Sequence, residues 1–167
     1  DESWTITAVF KVDQAVADVD ALGCEDLSNP AVKTGTLNQV TGSSTDLDLT
    51  DNRACEPLPQ INLAKNVVSS TSTGINTWRV VYQVTATNNG KGDGIYDLTD
   101  TFSPGNGLAF DTAELSYDGG TDAGTNGTPA GPLPYTFTTS PKTLVTDEGL
   151  AVGKNESWTI TADFTIT

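Results

Sequence analysis

Glu2-Ser3-Trp4-Thr5-Ile6-Thr7-Ala8-Val9-Phe10 returns near the other end of the chain as Glu156-Ser157-Trp158-Thr159-Ile160-Thr161-Ala162-Asp163-Phe164. From Glu2 to Asp13, eight of twelve positions are identical at an offset of 154. That is too many for chance in a string containing tryptophan. A self-match at a fixed period marks a repeat array, so the 167 residues span one period plus one strand written twice. Each copy alternates apolar with polar side chains: Trp4, Ile6, Ala8 and Phe10 in the first, Trp158, Ile160, Ala162, Phe164 and Ile166 in the second. Period two predicts a half-buried β-strand. Both copies are therefore expected to be assembly strands, carried by Trp4, Ile6 and Phe10 and by Trp158, Ile160 and Phe164. One copy fits the chain's own sheet, and the other fits the same slot next door by strand addition.

Working outward, further strands are expected at Val32–Thr41, Ile61–Val68, Thr77–Asn88, Ile95–Phe102, Leu108–Tyr117, Tyr135–Thr139 and Thr143–Thr146. Turn chemistry separates them, notably Asn88-Asn89-Gly90-Lys91-Gly92-Asp93-Gly94, Ser103-Pro104-Gly105-Asn106-Gly107 and the stretch from Gly119 to Pro134. No sustained helical period occurs, although Asp13–Leu22 admits a short helical turn. Short strands at this spacing predict an all-β antiparallel sandwich. Pro57-Leu58-Pro59 reads as a stiff junction. It divides residues 1–60, the C-terminal portion of one repeat, from residues 61–167, the N-terminal portion of the next, and the two are expected to pack apart.

Composition narrows the function. Eight Lys plus Arg against 22 Asp plus Glu give a net charge of -14, which excludes nucleic acid as a partner because that role requires a basic surface. No apolar run reaches the length of a membrane span. The opening Asp1-Glu2-Ser3-Trp4 and the absence of Met read as a processed or excised piece. With no His, the common catalytic triads and imidazole acid–base chemistry are missing. Cys24 and Cys55 are the only cysteines, and in an exported chain they read as one structural disulfide. It would close a loop of about 30 residues, worth roughly 3 kcal/mol in the chain-entropy model.

From Ile61 onward the chain resembles the "domain of unknown function eleven" repeats of bacterial surface proteins. The resemblance rests on Asn62-Leu63-Ala64-Lys65-Asn66-Val67 and on Trp78-Arg79-Val80-Val81-Tyr82-Gln83-Val84-Thr85-Ala86-Thr87-Asn88-Asn89-Gly90. It continues through Leu98-Thr99-Asp100-Thr101-Phe102-Ser103-Pro104-Gly105 and the closing stretch from Leu150 to Thr167. Cys24 through Pro59, with Gly35-Thr36-Leu37-Asn38-Gln39-Val40, resembles the tail of such a repeat, so the likeness covers nearly the whole chain in permuted order. It implies an immunoglobulin-like sandwich strung in tandem on a cell surface. The stretch from Asp118 to Pro134 is longer than the family pattern implies.

Three constellations bear on chemistry. Surface domains of this kind sometimes resemble pilin-type modules that form a Lys–Asn isopeptide bond assisted by an acid. Such a bond needs an amine and a carboxyl in an apolar site. Strand alternation puts Lys65 with Ile61, Leu63 and Val67, Asp100 with Tyr96, Leu98 and Phe102, and Asn38 with Val32 and Val40. The competing reading has Lys65 snorkelling, Asp100 capping a turn and Asn38 bonded to backbone. Because Asn38 precedes the junction and Lys65 follows it, a completed sandwich would pair Lys65 with the Asn38 equivalent of the next repeat.

Asp46, Asp48 and Asp51 form an oxygen-rich loop of the kind that suits Ca²⁺, with solvated carboxylates as the alternative. Asp18, Asp20, Glu25 and Asp26 flank Cys24 in the same manner. No other cofactor is expected. Paired carboxylates without an aromatic cleft do not make a glycosidase, and the glycosylation sequons at Asn126 and Asn155 read as incidental. Trp4, Trp78 and Trp158 are expected in the core.

The sequence therefore points to a non-enzymatic structural repeat outside the cell, a spacer or fibre unit whose partners are copies of itself or adjacent repeats. The alternative is an adhesin module gripping a glycan or receptor, with Ca²⁺ or the Asp118–Pro134 loop at its site.

Overall fold

The computed structural model describes residues 5–9, 22–24, 36, 38–39, 53–122 and 127–167. Its elements are all strands: β1 (Asn38–Gln39), β2 (Arg53–Ala54), β3 (Ile61–Gly74), β4 (Thr77–Asn88), β5 (Gly94–Asp100), β6 (Leu108–Gly120), β7 (Thr128–Pro129), β8 (Tyr135–Phe137), β9 (Lys142–Leu150) and β10 (Asn155–Ile166). Five form one sheet in the order β3-β4-β10-β6-β8, three form a second in the order β5-β9-β7, and β1 pairs with β2. All pairings are antiparallel. The fold is the all-β sandwich that the alternation predicts. No helix among the described residues is long and apolar enough to cross a membrane.

The second copy of the duplicated strand is the spine of the larger sheet. β10 is hydrogen-bonded to β4 on one side and β6 on the other, so both its edges are satisfied. Its inward residues Trp158, Ile160, Ala162 and Phe164 meet Val84, Leu98, Leu115, Leu144 and Val145 in one apolar core. On the outward face Arg79 holds Asp163 through two hydrogen bonds of 2.8 Å, Nε to Oδ1 and Nη2 to Oδ2.

The first copy behaves differently. Thr5–Val9 is not in a strand, and Ile6 is 73% exposed; Trp4 and Phe10 lie outside the described residues. Within this chain the slot these side chains fit is filled by β10. Trp78 also departs from expectation. It is 40% exposed because the smaller sheet ends before reaching it.

The junction is not a free link. Residues 53–60 reach the end of the sandwich where Asn88, Asn89 and the following glycines turn. Asn89 N donates to Gln60 O at 2.8 Å, and Lys91 N and Gly92 N both donate to Leu58 O. A Cβ on Gly90 would lie 2.3 Å from Gln60 N, and one on Gly92 would lie 2.3 Å from Pro57 O. The glycine-rich stretch read as a turn is thus also a seat for backbone, and this part of residues 1–60 packs on the sandwich rather than apart from it. The Asn88 side chain locks the seat. Its Oδ1 accepts from Gln60 N and Gly90 N, and its Nδ2 donates to Gly92 O and Leu150 O. Leu58 N donates to Leu22 O, close in sequence to the disulfide that joins Cys24 and Cys55.

Candidate functional site: an apolar groove with a half-buried ion pair

β4, β10 and β6 run the full length of the sandwich, whereas β5 stops at Asp100. Beyond that point no strand among the described residues covers the inner face of the larger sheet. The result is a groove of about 690 Å³ lined by Val67, Trp78, Val80, Tyr82, Leu108 and Ile166, with Phe102 and Pro104 along its other side. Register explains the lining. Lys65 lies opposite Val84, Val67 opposite Tyr82 and Ser70 opposite Val80, so these β3 side chains share the inward face, yet Leu63 and Val67 remain exposed. Phe102 partly plugs the floor, stacking on Phe110 at 4.6 Å and meeting Phe164 edge-on at 5.7 Å.

Two of the three residues expected for acyl chemistry meet at the upper end of this groove. Lys65 Nζ donates to Asp100 Oδ1 at 2.6 Å and stands over the Tyr82 ring at 4.4 Å and the Phe102 ring at 5.0 Å. Asp100 is buried. Its Oδ1 also accepts from Thr101 N at 2.9 Å, while its Oδ2 is buried without a hydrogen-bond partner. An ammonium ion against two ring faces and a carboxylate is held by both cation–π attraction and charge. Asn38 is not brought to the pair; it is exposed in β1 and lies opposite Ala54. Asp18, Asp20, Glu25, Asp26, Asp46, Asp48 and Asp51 lie outside the described residues. Among the described residues no cluster of three or more Asp, Glu, His or Cys could hold a metal ion.

At the opposite end lies a polar cluster that the sequence reading missed. Glu148 and Glu156 are fully buried. Tyr96 Oη donates to Glu156 Oε1, Trp158 Nε1 donates to Tyr96 Oη at 2.9 Å, and Gly127 N donates to Glu148 Oε2 at 3.1 Å. Burial raises the Glu156 carboxyl to about 6; the Tyr96 hydrogen bond opposes the rise, and the charges of Glu148 and Asp122 add to it. Burial also raises Tyr96, and its bond to Glu156 adds to that rise. The signal was present in the sequence, since Glu156 shares parity with Trp158 and Ile160. The same alternation that buries the tryptophan buries the acid.

No protein-family model, curated protein or solved structure matches this chain.

Proposed function

We propose that this chain is a structural repeat of an extracellular surface protein or fibre, in which each sandwich is completed by a β-strand from a neighbouring repeat or subunit. The observation that carries the reading is the open groove: a five-stranded sheet faces a three-stranded one, and apolar side chains lie exposed between them. Among the described residues the free edge of β3 borders the groove, offering backbone groups for pairing beside an apolar floor. Edges of this kind are normally covered or guarded, and strand addition covers them. The duplicated strand motif gives the array. The Cys24–Cys55 disulfide supports an oxidising compartment outside the cytoplasm.

The competing reading, an adhesin module, draws on the exposed Trp78 ring. A sugar site needs polar groups around its aromatic platform to bond hydroxyls. Trp78 shares the groove with Val80, Leu108, Phe164 and Ile166 as well as with Asn66, Ser70, Thr101 and Ser103, and the apolar share of that lining favours the side chains of a strand. Sedimentation velocity over a concentration series tests the proposal. Concentration-dependent association that Val67→Arg abolishes is the expected result, and a monomer at every concentration would refute it.

A further inference from the structure

We propose that the free edge of β3 pairs antiparallel with β3 of a second copy of this chain, about a two-fold axis at Ala64, so that the two larger sheets become one. This names the strand that completes the edge and so rests on the strand-completion reading above.

The sheet edges differ in how they are guarded. Among the described residues the edge strands are β3 and β8 in the larger sheet and β5 and β7 in the smaller. β8 has three residues, and β7 has two, one of them Pro129. β5 has seven, carries Asp97 and Asp100, and breaks register twice against β9. Shortness, proline, charge and irregularity are the ordinary protections of an edge. β3 has fourteen residues with no proline and one charge, Lys65, which Asp100 already holds. It is the long edge left open to pairing.

Charge selects the occupant. The chain carries a net charge of -14, so two copies repel wherever their acids meet. From Pro57 to Gly92, however, there is no Asp or Glu, although the chain has 22. That stretch holds the β3–β4 hairpin, whose cations Lys65 and Arg79 are each bonded to an acid of another strand. A second acidic copy therefore approaches along β3 at the least electrostatic cost. A basic partner would find no acid on this strand to answer it, and an acidic one would find Lys65 already paired.

The strand is also complementary to itself. Register with β4 places Ile61, Leu63, Lys65 and Val67 on the inward face and Asn62, Ala64 and Asn66 on the outward one. Directly opposed residues of an antiparallel pair share a face. An axis at Lys65 would set like charges against each other, which is destabilising. An axis one residue earlier, at Ala64, sets Ile61 against Val67 of the other copy, Leu63 against Lys65 and Asn62 against Asn66, with the small alanines meeting at the centre. Leu63 and Val67, exposed in one copy, gain cover from the isoleucine and the lysine stem of the other. A register shift follows Val67. Such a bulge bends its strand, so the paired length is Ile61–Val67. Because the same patch serves both copies, the contact closes at two. It joins chains side by side rather than adding one repeat after another.

The test is sedimentation velocity of the full chain with paired charge variants. The unaltered chain is expected to reach a dimer and no more. Asn62→Lys with Asn66→Lys sets two like-charge pairs across the axis and should weaken dimerisation about ten-fold. Asn62→Glu with Asn66→Lys sets two opposite-charge pairs there and should dimerise at least as well as the unaltered chain. Under mild oxidation Ala64→Cys should form a covalent dimer, since opposed Cα atoms lie about 4.5–5.5 Å apart, within disulfide reach. Thr71→Cys, exposed on the same strand beyond the bulge, should not. Association that both charge pairs leave unchanged or both abolish, that runs past a dimer, or that cross-links at Thr71 rather than Ala64 would overturn the β3 pairing, while strand completion by another segment stands. A monomer at every concentration would overturn both proposals.

Discussion

β4 and β10 run side by side through the whole sandwich, yet their two ends live in different surroundings. At one end Asn88, Glu156 and Trp158 are wholly enclosed; at the other Trp78 and Ile166 are 40% and 42% exposed. Both ends carry the same alternation, so strand pattern does not separate them. What differs is the opposing layer. β5 and β9 cover the first end, and Pro57–Gln60 seals it through the Asn88 side chain. At the second end, among the described residues, the segment from Thr101 to Pro104 leans over the floor. The comparison teaches that burial in this chain is decided by which strands arrive to cover a face, and that the uncovered end is where a partner has room.

The largest expected effect lies at the closed end. Trp158→Ala should lower unfolding free energy by about 3–5 kcal/mol in denaturant titrations, because the ring is fully buried and its indole N–H is bonded to Tyr96. Asn88→Ala should cost about 2–4 kcal/mol, since it strands two donors and two carbonyls in a buried seat. Gly92→Ala should cost about 1–3 kcal/mol as the new methyl drives Pro57 away. It should also raise proteolytic cleavage around residues 53–60 without loosening the core. A stability loss from Trp78→Ala as large as that from Trp158→Ala would break the comparison.

pH sharpens the contrast further. Glu156 titrates in the folded chain near 6, above the ordinary glutamate value. The folded state therefore binds this proton more tightly than the unfolded state, and lowering the pH from 7 through about 6 should stabilise the chain by on the order of 1 kcal/mol. The gain is complete below the unfolded value and lost as pH rises through the folded one. Asp163 runs the other way, because Arg79 holds its carboxyl below the usual range. Its contribution is present above the unfolded aspartate value and lost as pH falls through the folded one. Glu156→Gln should flatten the rise between pH 7 and 5 in thermal melts while leaving the acid limb unchanged. At the open end Trp78→Ala should change the isolated chain's stability by under about 1 kcal/mol.

Much of this architecture was legible beforehand. The strands from Ile61 onward follow from period-two alternation, and the lysine–aspartate meeting at the groove follows from the parity of Lys65 and Asp100 on their strands. Edges and ends were harder to read. β3 continues to Gly74 beyond the apolar pattern that stops at Val68, because its hairpin with β4 carries it through Ser and Thr residues whose backbone pairs all the same. Alternation placed Trp78 inward, and it does face inward; what no local pattern encodes is that the second sheet stops short of it. Ile6 and Ile160 sit in the same heptapeptide and differ completely in burial, since one has strands on both sides and the other does not. The glycines from Gly90 to Gly94 announce a turn in sequence, whereas their role as a seat appears only when Pro57–Gln60 lies on them.

The most direct measurement is backbone amide hydrogen exchange of β3, Ile61–Gly74, whose Lys65, Asn66, Val67 and Ser70 line the groove, compared between dilute and concentrated protein. If the groove takes a strand from another copy, exchange along the free edge of β3 slows with concentration while the already covered β10 stays constant. Exchange at β3 that does not change with concentration would contradict the account.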